Sequence, residues 1–179
     1  LKEETLNRIY QRYPEFKEKK VIVYAPTFRK NLDISVEIDN LARQFSDEEY
    51  IFVLKKHPHM NVDCNYAMVD QEFTTLEMLY AADYVVCDYS AVIYEAAILK
   101  KPLFFYTFDY DSYGLDRDFY IDYKAEMPGV MEANPEHLAS AIKRGEYDLA
   151  RVEAFAYKSL EKQTGCTREL GQFILDSIE

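Results

Sequence analysis

Hydroxyl, cationic and imidazole side chains stand just past three apolar runs of this 179-residue chain: Thr27 and Arg29 beyond 21–25, Lys55, Lys56 and His57 beyond 50–54, and Ser90 beyond 84–87. Cations and hydroxyls supply charge-assisted hydrogen bonds and an imidazole adds a further donor, so this set suits a phosphate or pyrophosphate. Ser90 precedes the helical run 92–99, where its hydroxyl and the unpaired N–H groups of a first turn would converge on a spot that favours an anion. The alternative is that Ser90 merely caps its own helix. Lys30 and Lys56 could likewise be solvated surface charge.

His57, beside Pro58, is either a structural turn residue or, facing a pyrophosphate, a donor that stabilises charge on a departing nucleotide. His57 and His59 have the spacing of a metal pair, but no third ligand stands at usable spacing and no metal is expected. Glu95 falls on a nearly apolar helix face, where a carboxylate needs a partner: a ribose or polyol hydroxyl pair, or a neighbouring Lys.

These residues serve one site only if the fold gathers the ends of their strands. Apolar runs at 21–25, 50–54, 67–69, 84–87, 102–108 and 129–131 read as strands. Helical spacing covers 3–13, 34–46, 92–99, 148–162 and 167–178, with Thr74-x-x-Glu77 as a capping box and Asn134-Pro135 as the start of another helix. The segment 109–123 reads as a long acidic and aromatic loop. Strands apolar on both faces and alternating with helices predict an α/β fold, a Rossmann-like parallel sheet flanked by helices. Ligands of such sheets bind beyond the carboxyl ends of the strands where strand order reverses. The order 3-2-1-4-5 puts the first and fourth strands at that point and the second beside them, so the three polar tips converge and the phosphate reading of Ser90 is favoured. With only 5 Gly and no G-x-G-x-x-G after the first strand, a dinucleotide fingerprint is excluded.

Composition bounds the rest. A hydrophobic share of 49% with 16 Tyr and 11 Phe supplies ample core, and one nucleotide-binding domain over residues 1–179 is expected. A formal charge of −11 argues against nucleic acid and against broad adhesion to anionic lipid. Three scattered cysteines indicate neither a zinc site nor a disulfide framework, and fit a reducing compartment. No apolar run approaches the roughly 20 residues of a membrane span. The chain opens on Leu1 rather than Met, and is expected to be a fragment of a longer protein.

The runs Ala25-Pro26-Thr27-Phe28-Arg29, Lys56-His57-Pro58, Leu79-Tyr80-Ala81-Ala82-Asp83, Asp88-Tyr89-Ser90-Ala91, Lys101-Pro102-Leu103-Phe104-Phe105-Tyr106, Asp109-Tyr110-Asp111, Arg117-Asp118-Phe119-Tyr120 and Pro128-Gly129 follow in that order. Together they resemble the CDP-glycerol glycerophosphotransferase family, the teichoic acid polymerases and primases. The resemblance implies the C-terminal, donor-holding half of a GT-B-type enzyme that transfers glycerol phosphate from CDP-glycerol (or CDP-ribitol) to a polyol-phosphate or lipid-linked acceptor. It implies that Pro26, Thr27, Lys55, Lys56, His57, Ser90, Ala91 and Glu95 contact the donor; from their positions Arg29 and Arg117 are expected as further cations and His57 as the catalytic group. It implies no cofactor, and a cytoplasmic protein meeting the inner face of the membrane only peripherally through its full length. The family usually has a second Ser at position 91, Asp at 95 and Gly at 118, and the Trp-His-Gly motif of its N-terminal half has no counterpart in a chain without Trp. Rival readings are a GT-B glycosyltransferase using a sugar nucleotide, a non-catalytic nucleotide-binding domain, and a metal-dependent variant using Asp109 and Asp111.

Overall fold

The computed structural model describes residues 2–30, 32–116, 119–160 and 164–178. Six strands, β1 (Lys20–Tyr24), β2 (Tyr50–Leu54), β3 (Met68–Val69), β4 (Tyr84–Cys87), β5 (Leu103–Tyr106) and β6 (Val130–Glu132), form one sheet in the order β3-β2-β1-β4-β5-β6. Every pairing is parallel. Side chains alternate across each strand, so the sheet feeds two cores. Val21, Val23, Val53, Val85, Cys87, Leu103 and Phe105 pack on one face with α1 (Lys2–Arg12), α3 (Thr75–Ala81), α4 (Val92–Ile98) and α8 (Leu149–Ser159). Ile22, Tyr24, Phe52, Leu54, Val86, Phe104 and Tyr106 pack on the other with α2 (Ser35–Ala42) and α7 (Pro135–Arg144).

The expected strand order is the observed one, and the order reverses between β1 and β4. The Thr74–Glu77 capping box is complete in both directions at α3, and Asn134 caps α7 with Pro135 in its first turn. Gly145 closes α7 at φ +68, in the left-handed region that glycine enters without a Cβ clash.

Local pattern and structure differ in three places. The expected helix over 34–46 is α-helical only to Ala42 and tightens into a 3-10 turn over Arg43–Phe45, which seats Phe45 against Tyr50 and Phe52. The fifth strand pairs only over Leu103–Tyr106, leaving Thr107 and Phe108 in its exit loop. The expected loop over 109–123 contains α5 (Tyr110–Asp116) and the start of α6 (Tyr123–Glu126). Ring packing supports these two helices: Tyr110 stacks on Phe119 at 5.9 Å, Phe119 on Tyr123 at 4.9 Å and Tyr113 on Tyr89 at 3.9 Å. The last helix, α9 (Cys166–Ile178), buries none of its residues.

Candidate functional site

Asp88 is the first residue past β4 and its side chain is fully buried. It receives four kinds of contact from the two loops that flank the switch in strand order. The Thr27 backbone N–H donates to its carboxylate at 2.9 Å and the Thr27 hydroxyl donates at 2.7 Å. The Tyr89 N–H donates at 2.6 Å, and the Arg29 guanidinium pairs with it at 3.0 Å. Arg29 in turn pairs with Asp109, beyond β5, at 2.7 Å, donates to the Thr27 carbonyl at 2.7 Å, and lies against the Tyr89 and Tyr113 rings. The Tyr123 hydroxyl donates to the Asp88 carbonyl. Burial pushes the Asp88 carboxyl up against the pull of Arg29 and Thr27. Burial also works against the Arg29 charge, but Asp109 and Asp88 more than offset it and hold the guanidinium protonated.

The junction turns the expected donors of Arg29 and Thr27 inward. Arg29, with its side chain only 7% exposed, directs its donors to two carboxylates and a carbonyl. The Thr27 proton is committed to Asp88, so toward a ligand its oxygen is an acceptor rather than a phosphate donor. Lys55 is turned inward in the same way. Its ammonium is buried among the Asp70 carboxylate at 2.6 Å, the Asp70 carbonyl at 3.1 Å and the Phe73 carbonyl, which uses all three donors. Burial alone would raise the Asp70 carboxyl, but Lys55 and Tyr13 hold it below the usual carboxylate range. Two lysines in sequence thus divide, one turned inward and one toward the sheet edge.

The remaining expected residues stand as follows. Lys56 is half-buried and donates to the Met60 carbonyl at 2.9 Å, while His57 is exposed and stacks on Phe28 at 5.4 Å. Pro26 is buried and fixes the exit of β1. Ser90 sits one residue ahead of its expected place: Ala91 is the cap residue of α4, and the Ser90 Oγ accepts from the Val92 N–H at 3.3 Å. That bond occupies an acceptor lone pair and leaves the Ser90 proton to donate. The first-turn N–H groups of Ile93 and Tyr94 bond the Ser90 and Ala91 carbonyls, so they are less open to an anion than the sequence pattern implies. Glu95 is exposed rather than set in an apolar face, and requires no buried partner. Arg117 lies outside the described residues. Among those described, no cluster of three or more His, Cys, Asp or Glu side chains is arranged for a metal ion. Asp109, half of the D-x-D pair, has both carboxylate oxygens engaged by Arg29.

Asp88, Tyr89, Tyr113 and Phe28 build the site without having been singled out in the sequence, and Asp109, weighed there as half of a metal pair, enters instead as a partner of Arg29. The usable signal was a carboxylate following directly on a fully apolar strand, since a charge there must be paired. Beyond the ends of β5 and β6, and sharing Asp109 with the junction, lies a cleft of about 620 Å³ bordered by Thr107, Asp111, Ser112 and Lys124.

Residues 1–169 match the family model of the CDP-glycerol:poly(glycerophosphate) glycerophosphotransferases. The chain belongs to this family. Among the glycerophosphotransferase relatives it is 35% identical to a teichoic acid poly(ribitol-phosphate) polymerase of Bacillus spizizenii, over 90% of this chain and 28% of that protein. It is 32% identical to a teichoic acid glycerol-phosphate transferase of Staphylococcus aureus, over 87% of this chain and 43% of that protein. The fold matches that of the wall teichoic acid polymerase TagF, in a variant soaked with CDPG, at a TM-score of 0.74 and 26% identity, covering 98% of this chain and 46% of that one. The calicheamicin glycosyltransferase CalG4 shares the fold at a TM-score of 0.62 and 14% identity, over 88% of this chain and 42% of that one. The chain therefore spans less than half the length of each of these proteins. No helix among the described residues is long and apolar enough to cross a membrane.

Proposed function

We propose that this chain is the donor-binding domain of a longer transferase that moves glycerol phosphate from CDP-glycerol to a polyol-phosphate or lipid-linked acceptor in teichoic acid-type polymer synthesis. Family membership over 1–169 supports the reaction class, and the likeness to TagF soaked with CDPG supports the donor. The observation that carries the assignment to this edge of the sheet is the division of polar groups there. Arg29, Lys55, Asp88 and Asp70 are engaged by internal partners, while Ser90 and Lys56, both half-buried, and the exposed His57 keep donors beyond the bonds they make.

In this reading an acceptor hydroxyl attacks the β-phosphorus of the donor, the new O–P bond forms as the bridging P–O bond breaks, and CMP departs. Ser90 donates to a phosphate oxygen in the ground state, and Lys56 contributes positive charge at the same edge. His57 donates to the oxygen on which negative charge grows, where a fixed donor is worth most. The base that takes the acceptor proton lies in another part of the full-length enzyme, so the isolated chain binds donor weakly and turns nothing over. The full-length protein works on the cytoplasmic side and meets the membrane only peripherally.

The poly(ribitol-phosphate) polymerase at 35% identity favours one second reading, in which CDP-ribitol is the donor. Calorimetric titration of the chain with CDP-glycerol, CDP-ribitol, CMP and a UDP-sugar tests both. A CDP-polyol should bind more tightly than CMP, and a preference for the UDP-sugar would sink the proposal.

A further inference from the structure

His57 opens a four-residue turn, His57-Pro58-His59-Met60, closed by the Met60 N–H donating to the His57 carbonyl at 2.9 Å. Pro58 stands at the second position, where its fixed φ suits such a turn. The Lys56 ammonium braces the turn from below through the Met60 carbonyl. On this support the His57 imidazole meets three neighbours. The Phe28 ring, arriving from the β1 exit loop and packed on the core beneath α2, stacks on it at 5.4 Å and 27°. The His59 ring meets it edge-on at 5.2 Å. The backbone N–H of His59 donates to its Nδ1 at 3.3 Å.

Only a neutral imidazole offers a lone pair at Nδ1, and a neutral ring with Nδ1 as acceptor carries its proton on Nε2. We propose that Phe28 and the His59 N–H are positioning groups that fix the neutral form of the His57 imidazole as its Nε2–H tautomer, so that this form presents N–H rather than a lone pair to the donor. The inference rests on the donor-binding assignment for its chemistry but not for its structure. The ring is fixed on one face by Phe28 and on one edge by the turn. Its single outward polar group is then N–H, aimed without a rotamer search at a phosphate oxygen that gains charge as CMP leaves. No proton needs to be transferred: the His57 proton stays on Nε2 while the bridging P–O electron pair goes to the departing phosphate.

Long-range proton–nitrogen correlation spectra of the chain with ¹⁵N-labelled histidine, taken under conditions where the imidazoles are neutral, read the tautomer directly and need no substrate. His57 should show a protonated Nε2 and an unprotonated Nδ1, and Phe28→Leu should shift it toward a mixture of tautomers. A protonated Nδ1 in the unsubstituted chain overturns the proposal. In the full-length transferase, Gln at this position keeps an N–H near the place of Nε2, whereas Asn places its amide nearer Nδ1. His57→Gln should therefore hold kcat within about tenfold of the parent, while His57→Asn and His57→Ala lose about a hundredfold or more, with KM little changed. Equal losses for Gln and Ala, in variants with unchanged melting temperatures, would also overturn it. Loss of CDP-polyol binding in calorimetry with the tautomer intact would instead count against the donor assignment alone.

Discussion

Lys55 and His57 are two positions apart at the end of β2, yet they meet opposite fates. Lys55 points into the protein, where Asp70 and two carbonyls absorb its charge, and His57 points out. Truncating one partner of a buried ion pair leaves the other charge uncompensated, at a cost of about 3 to 5 kcal/mol. Lys55→Ala should therefore appear in urea unfolding of this chain at that scale, and the folded fraction should bind CDP-glycerol as the parent does. A large loss of donor affinity with unchanged stability would return Lys55 to the phosphate site. Acid gives a second view of the same pair. The Asp70 carboxyl is depressed in the folded state, so its stabilising contribution is complete above the ordinary carboxylate range and is lost as pH falls through the folded value. The stability gap between the parent and Asp70→Asn should be present at neutral pH and close as pH falls below about 4.

At the scale of elements, the site depends on short pieces that hold their place through neighbours rather than through propensity. α5 and α6 have seven and four residues, too short to persist alone. Their support is the ring cluster of Tyr89, Tyr110, Tyr113, Phe119 and Tyr123, together with the Arg29–Asp109 pair. β6 is likewise short, and Gly129 at its start lies so close to β5 that an added Cβ would stand 2.0 Å from the Leu103 carbonyl oxygen. Backbone cannot yield as a flexible side chain can. Gly129→Ala should push β6 off the sheet edge and open the wall of the cleft beside Asp109, with a loss of about 3 kcal/mol or more, the upper range for overpacking. Thermal unfolding measures the loss, and hydrogen exchange at the 130–132 amides localises it. Protection unchanged there, with parental stability, would contradict the close approach.

For the molecule as a whole, −11 formal charges surround a site assigned to a pyrophosphate. Neutralisation must come from a few local groups, and Lys56, His57 and the Ser90 hydroxyl stand on the same sheet edge in the structure. If those donors suffice, EDTA leaves CDP-glycerol affinity unchanged within error. A large gain on adding Mg²⁺ would promote Asp111 and release Asp109 from Arg29, a rearrangement visible as a fall in melting temperature on Asp109 substitution only in the metal-free protein.

The strand runs, the capping box at Thr74, the cap at Asn134 and the order of the sheet were legible in the sequence because periodicity and capping are local and the strands are apolar on both faces. The gathering of Thr27, His57 and Ser90 on one edge followed from topology alone, since parallel strands must deliver their carboxyl ends together. Tertiary structure alone decided which cations are free. Arg29 and Lys55 look like Lys56 in sequence, but a cation beside a buried carboxylate is drawn inward, and Asp88, Asp109 and Asp70 reach them across 59, 80 and 15 residues of chain. It alone also brought Tyr89, from beyond β4, onto the rings of Tyr110, Tyr113 and Tyr123, which supplies packing that the eleven residues of α5 and α6 cannot supply for themselves.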